Sequence, residues 1–256
     1  MIADERQLVS LTDEMRAATR IQEAILPRTI PSLENIRIAV RYAPMTAVAG
    51  DLYDFPTVRP NCLGVLVADV MGHGVPAALV ASMIKVAVSS PCGEDRGPAG
   101  VIADLNTILL NEVHEQFVTA VYLYLDAANK IGRYSAAAHP PPLLWRRGRG
   151  ALEQLGETGL LLGVRPNEPY AESQFSFETG DRLLLYTDGL LAENAAGESF
   201  GDAALSAFIE EKQDLGAEQF VDSLLGEVLS WSSDGTQLRQ KDDITILVMD
   251  FGSTET

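Results

Sequence analysis

The sequence predicts an α+β fold, a sandwich of two mainly antiparallel sheets with helices outside. Three observations point there. Strand-like runs outnumber helical ones. The helical runs come mostly in consecutive pairs, not in the strict alternation with strands that builds a doubly wound parallel sheet. Short polar turns join neighbouring strand-like runs, as hairpins require.

Residues before Pro27 are helical in pattern. Leu8, Leu11, Met15, Ala18, Gln22 and Ile25 recur at the alternating three-four spacing of a heptad seam, which Ala18 and Gln22 weaken. Two readings stand open: a helix packed on its own domain, or the end of a signalling coiled coil or dimerising helix. Pro27 and Pro31 stop it. Ile36, Ile38, Val40 and Tyr42 then alternate with Arg37 and Arg41, the period of a half-buried strand. AGDLYDF follows at residues 49–55 and LGVLV, a buried-strand run, at 63–67. Residues 76–89 read as a helix with Pro76 in its first turn, and 101–113 as a second. Strand-like residues 117–125 and 131–137 flank DAANK at 126–130, a hairpin signal. The prolines at 140–142 interrupt, a short strand covers 143–145, and residues 146–150 form a turn. Residues 174–177 and 182–186, joined by ETGD at 178–181, read as another hairpin. Helices at 203–211 and 217–231 precede a last strand at 244–251. Residues 1–29 are thus a linker or regulatory helix, 30–252 one domain and 253–256 a tail.

Acids outnumber bases 36 to 19, for a net charge of −17. That balance repels nucleic-acid backbones and anionic lipid, so neither nucleic acid nor a membrane is expected as a partner. It suits divalent cations, although a solvated acidic surface accounts for most of it. Cys62 and Cys92 lack metal-ligand spacing. Cys62 reads as a small buried hydrophobe and Cys92 as part of a Pro-Gly-rich turn, which implies a reducing compartment. With no signal peptide and no bilayer-length apolar stretch, the expected location is cytoplasmic.

The acids carry the functional signal. Asp69 ends the run 63–68, and Asp188 ends 183–187 with Gly189 after it. Asp51 stands before the segment 52–58, and Asp242 and Asp243 open the last strand. In an antiparallel sheet the end of one strand lies beside the start of its neighbour, so these acids can converge on one edge. Like charges at close range force protonation or require a cation, and carboxylate, carbonyl and water ligands suit Mg2+ and Mn2+. Glycines beside Asp69 and Asp188 leave room for close backbone approach. Taken singly, any one of these acids is more often just a turn residue; the pattern speaks only jointly.

The ordered set AGDLYD at 49–54, DVMGHG at 69–74, FVTA at 117–120, AHPPP at 138–142, YTDG at 186–189 and DDIT at 242–245 resembles the bacterial PP2C-like serine phosphatases of the SpoIIE/RsbU type. The resemblance runs from about Pro27 to Phe251. It implies an αββα sandwich with a centre of two Mn2+ or Mg2+ ions. It further implies hydrolysis, by metal-activated water, of phosphoserine or phosphothreonine on a partner-switching protein, typically a STAS-type anti-sigma-factor antagonist. It also makes the N-terminal helix look like a linker to an upstream sensor. Carried over by motif, Asp69 bridges both ions with the Val70 carbonyl beside it, Asp188 and Asp242 hold one ion, and Asp51 completes the site directly or through water. Asp243 is the alternative to Asp242.

Ala49 departs from the glycine usual in the family, which matters only if that position needs positive φ. No arginine stands at a matching spacing to hold the substrate phosphate; Arg41 is near only in sequence. Asp54 reads as support for Asp51 or as a turn carboxylate. Gly72 and Gly189 keep the entrance open. His73 reads as a loop-fixing hydrogen bonder or an acid near the leaving group, His139 as a turn cap, His114 as a helix-surface residue, and Thr119 and Thr245 as strand residues near the site. Two rival readings remain: a catalytically silent signalling module on the same fold, and a nucleotide cyclase, because AGDLYDF superficially resembles a diguanylate-cyclase turn. The cyclase leaves Asp69, Asp188, Asp242 and Asp243 without work.

Overall fold

The computed structural model describes residues 2–89, 96–113, 116–156, 158–194, 196–233 and 240–252, with backbone alone for residues 2–11 and 202. Cys92, His114 and the tail 253–256 lie outside the described residues. Helix α1 (Ile2–Ile25) leads into β1 (Ile36–Ala43), β2 (Leu52–Arg59) and β3 (Cys62–Val70), then the pair α2 (Val75–Val88) and α3 (Gly97–Glu112). Next come β4 (Val118–Asp126), β5 (Ile131–Ala137), β6 (Leu143–Arg146), β7 (Ala151–Gln154), β8 (Ser173–Ser176) and β9 (Arg182–Tyr186). A 3-10 turn at Asp188–Leu191, the pair α4 (Asp202–Glu211) and α5 (Ala217–Trp231), and β10 (Ile244–Phe251) complete the chain.

The strands form two five-stranded sheets, ordered β1-β10-β9-β6-β7 and β2-β3-β4-β5-β8, with every strand pairing antiparallel. Alternate residues of each strand point to opposite faces, and that period sorts the molecule into layers. Leu63, Val65 and Val67 of β3, Val121, Leu123 and Leu125 of β4, Leu183 and Leu185 of β9, and Leu247 and Met249 of β10 pack together between the sheets. The other faces bury Leu66 and Tyr122 under Ile84, Ile102 and Leu105 of α2 and α3, and Leu184 and Val248 under Phe220 and Leu224 of α5. The order of layers is helix, sheet, sheet, helix, as expected.

Helix α1 packs beside α2. Gln22, 7% exposed, donates to the Ala49 carbonyl at 2.7 Å and accepts from the Ala49 N–H at 2.9 Å. This residue of the heptad seam therefore faces its own domain, while Ile21 of α1 and Leu79 of α2 stay exposed. No helix among the described residues is long and apolar enough to cross a membrane.

The β4–β5 hairpin forms as expected, with Asp126 opposite Ile131 and its carboxylate capping the turn at the Asn129 N–H. The second expected hairpin does not form. β8 pairs with β5 in one sheet and β9 with β6 and β10 in the other, so residues 177–181 are a crossover between sheets. Buried Asp181 holds that corner, accepting from the Glu178 and Arg147 N–H groups and from Arg146. Cys62 is half-buried, not buried, because it is the first residue of β3, between Arg59 and Asp126 at the strand's end. Arg41 pairs with Asp222 and Glu218 of α5 on the outer face, away from the acids.

Candidate metal centre

The inner rows that fill the core end in polar residues. Continuing the alternation of β3 beyond Val67 places Asp69 on the inner face, and the same parity places Thr119 at the start of β4, Thr187 after β9, and Asp243 and Thr245 at the head of β10. Asp51, just before β2, shares the parity of Tyr53 and Phe55. The apolar seam between the sheets thus becomes an acidic mouth at one end.

Asp51 is 2% exposed. Its Oδ2 accepts from Thr187 Oγ1 at 2.7 Å and from Thr245 Oγ1 at 2.6 Å, both on the opposite sheet. Burial and the charge of Asp69 push its pKa well above the carboxylate range, against the two hydroxyls, which favour the ionised form. Asp69 is half-buried; burial, then Asp188, Asp242 and Asp243, push it up to about 7. Asp188 is raised by burial and by Asp242. Asp243 is 3% exposed. Its two oxygens accept from the Met45 N–H and the Gly50 N–H, each at 2.7 Å. Burial raises it against those donors. Asp242 is exposed and accepts from the Asp243 N–H.

Backbone approach explains two glycines. A Cβ on Gly189 would stand 1.9 Å from the Asp243 carbonyl oxygen, and one on Gly50 2.7 Å from the Val70 carbonyl oxygen. Gly72 and Gly74 have φ of 92° and 77° in the open turn after β3. Ala49 is absent from the positive-φ residues, so its methyl meets no conformational penalty.

The structure brings Asp51, Asp69, Asp188, Asp242 and Asp243 into electrostatic contact. Among the described residues, no three acidic, histidine or cysteine side chains are closed up as a ready cage for an ion. Asp54 does not join them. It lies three residues from Asp51 on the opposite face of β2, where it pairs with Lys85 of α2. His73 is exposed and makes no hydrogen bond among the described residues, so it does not fix its loop. His139 caps no turn: it is buried, with Nδ1 2.9 Å from Thr119 Oγ1. Thr187 went unnoticed in the sequence, although its place two residues beyond Leu185 on the inner row was a signal.

The sequence profile of the family described as Stage II sporulation protein E (SpoIIE) matches residues 59–252. The phosphoserine phosphatase RsbU of Bacillus subtilis is 26% identical over 240 residues, covering 93% of this chain and 70% of that one. The SiaA-PP2C domain of Pseudomonas aeruginosa superposes with a TM-score of 0.82 at 21% identity, covering 98% of this chain and 100% of that one. The catalytic domain of the serine/threonine phosphatase PstP, solved with 2 manganese ions, superposes at 0.61 and 18% identity over 85% of this chain and 99% of that one. The fold is PP2C-like, and with the profile spanning most of its length the chain belongs to the SpoIIE family.

Proposed function

We propose that this chain is a divalent-cation-dependent protein serine/threonine phosphatase acting on phosphoserine of a STAS-type partner-switching protein, an anti-sigma-factor antagonist. The observation that carries this reading is the acidic mouth itself, where burial and mutual repulsion raise Asp51, Asp69, Asp188 and Asp243 together. Such an arrangement is costly for a fold unless cations offset it. The donor set is carboxylate and backbone carbonyl, the chemistry of Mg2+ and Mn2+. Family membership, the named activity of RsbU and the manganese in PstP support the same reading.

Asp69, which faces Asp188, Asp242 and Asp243, would be the central carboxylate holding the cations, with the Val70 carbonyl beside it. Asp188 and exposed Asp242 would hold one ion. Asp243, engaged by backbone N–H groups, clamps the loop around Met45 and Gly50. Asp51 is oriented by the Thr187 and Thr245 hydroxyls. When bound, the ions supply Lewis acidity, lowering the pKa of water for in-line attack and offsetting charge on the phosphoryl oxygens. Cys62, at the far end of β3 from Asp69, takes no part. Residues 30–252 form the catalytic domain, and residues 1–29 serve as linker to a sensor and as a dimerising helix, one face docked through Gln22 and another leaving Ile21 exposed.

The test is an assay of p-nitrophenyl phosphate and of a phosphoserine STAS protein with Mn2+ and with EDTA. Turnover should require Mn2+ and fall to background in Asp69→Asn and Asp188→Asn. Turnover that survives EDTA overturns the proposal, and consumption of a nucleoside triphosphate instead favours a cyclase.

A further inference from the structure

His139 is not an acid, yet it stands where the two sheets meet. The chain leaves β5 through Ala138, whose N–H donates to the Gly159 carbonyl at 2.9 Å and which bridges Ala120 in parallel. Ala138 has φ of 49°, a left-handed conformation uncommon for a residue with a side chain beyond glycine. That turn delivers the His139 ring inward, where it is 3% exposed.

The ring has polar contacts on both sheets. Nδ1 lies 2.9 Å from Thr119 Oγ1. Thr119 is the cross-strand partner of Asp69, so the two side chains leave the sheet on one face with Cβ atoms about 5 Å apart. The ring also interacts with the backbone of Tyr186 in the other sheet. Tyr186 immediately precedes Thr187, which donates to Asp51, and stands two residues before Asp188. Nε2 is enclosed without a well-formed hydrogen bond of its own, and burial pulls the imidazole down to about 3, so it is neutral. A left-handed alanine and a buried imidazole with one well-formed bond are both unfavourable. A site that retains both has a use for the ring beyond filling space.

We propose that His139 is a positioning residue, which sets the spacing between the Asp69 strand and the Asp188 strand through Thr119 on one side and the Tyr186 backbone on the other. The proposal rests on the reading of the acidic mouth as a divalent-cation site. It does not ask the ring to touch substrate or ion.

The experiment measures Mn2+ binding to the full chain by calorimetry, alongside thermal melting. His139→Leu removes both ring nitrogens at similar volume, and Thr119→Val removes the hydroxyl isosterically. Each should weaken Mn2+ binding about tenfold or more, as loss of a residue supporting a metal ligand does. The double variant should be no weaker than the worse single, because both break one link. Thr119→Ser, which keeps the hydroxyl, should recover most of the affinity. A packing role would instead lower the melting temperature and leave the affinity alone. Native affinity in folded His139→Leu and Thr119→Val overturns the proposal, and Thr119→Val decides alone should His139→Leu not fold. Asp188→Asn separates the two levels. If it binds Mn2+ as the native chain does, the cation reading itself is wrong; if it loses binding while His139→Leu and Thr119→Val do not, only the role of His139 is wrong.

Discussion

Asp69 is half-withdrawn from water and faces Asp188, Asp242 and Asp243. In the folded chain without metal it titrates at about 7, against 3.8 for the free side chain. Between those values the folded chain keeps a proton that the unfolded chain releases. Stability of the metal-free protein therefore falls as pH rises through this window, and the penalty is complete above about pH 7. Asp69→Asn removes that titration. Denaturant melts in EDTA should show the variant more stable than the native chain at alkaline pH, by roughly 1–3 kcal/mol, and the difference should vanish in acid. A variant less stable at every pH would mean that burial and repulsion at this residue are smaller than the geometry implies. The same residue scale shows what the sequence made legible. Asp69, Asp188 and Asp242 could be picked out because each sits beside a strand run that is readable from its own neighbours. Asp54 was misassigned although the signal was present: an odd spacing of three from Asp51 sends the two carboxylates to opposite faces of a strand.

Helix α2 is tied to the neighbouring sheet by the pair of Lys85 with Asp54. Asp54 is 3% exposed, and its Oδ2 has no hydrogen-bond partner among the described residues. Lys85→Met leaves that carboxylate buried without its cation and should cost up to about 3–5 kcal/mol. Lys85→Met with Asp54→Leu removes both charges and should return to native stability or above it. Urea denaturation of the three chains checks this, and an additive double variant would show that the pair contributes nothing. At this scale the sequence was legible where contacts are local. The β4–β5 hairpin follows from a turn whose Asp126 caps Asn129. Residues 174–186 presented the same strand-turn-strand pattern and cross between sheets instead. A period of two reports which face is buried and says nothing of which strand lies alongside. The partner of β8 was set by Asp181 at the corner and by packing far away in sequence. His139 was illegible for a related reason, because its direction depends on the left-handed Ala138.

The whole molecule carries a net charge of −17, and a cluster of its acids is gathered at one end of the sandwich. A cation that binds only the folded chain stabilises it by mass action, about 2.7 kcal/mol at a hundred times its dissociation constant. Melts in Mn2+ against EDTA should show this gain in the native chain, and Asp69→Asn with Asp188→Asn should abolish it. A gain that persists in the double variant would be diffuse binding to the acidic surface. Core and acidic mouth share the same inner rows of β3, β9 and β10, where leucine and valine give way to aspartate and threonine. Deleting one residue midway along β3 would turn Asp69 outward under the helices and leave a polar backbone kink where Val67 now packs. Length changes in these strands should therefore be tolerated only in pairs or at the loops, so a lineage of such proteins can diverge freely in side chains while the count of residues along each central strand stays frozen.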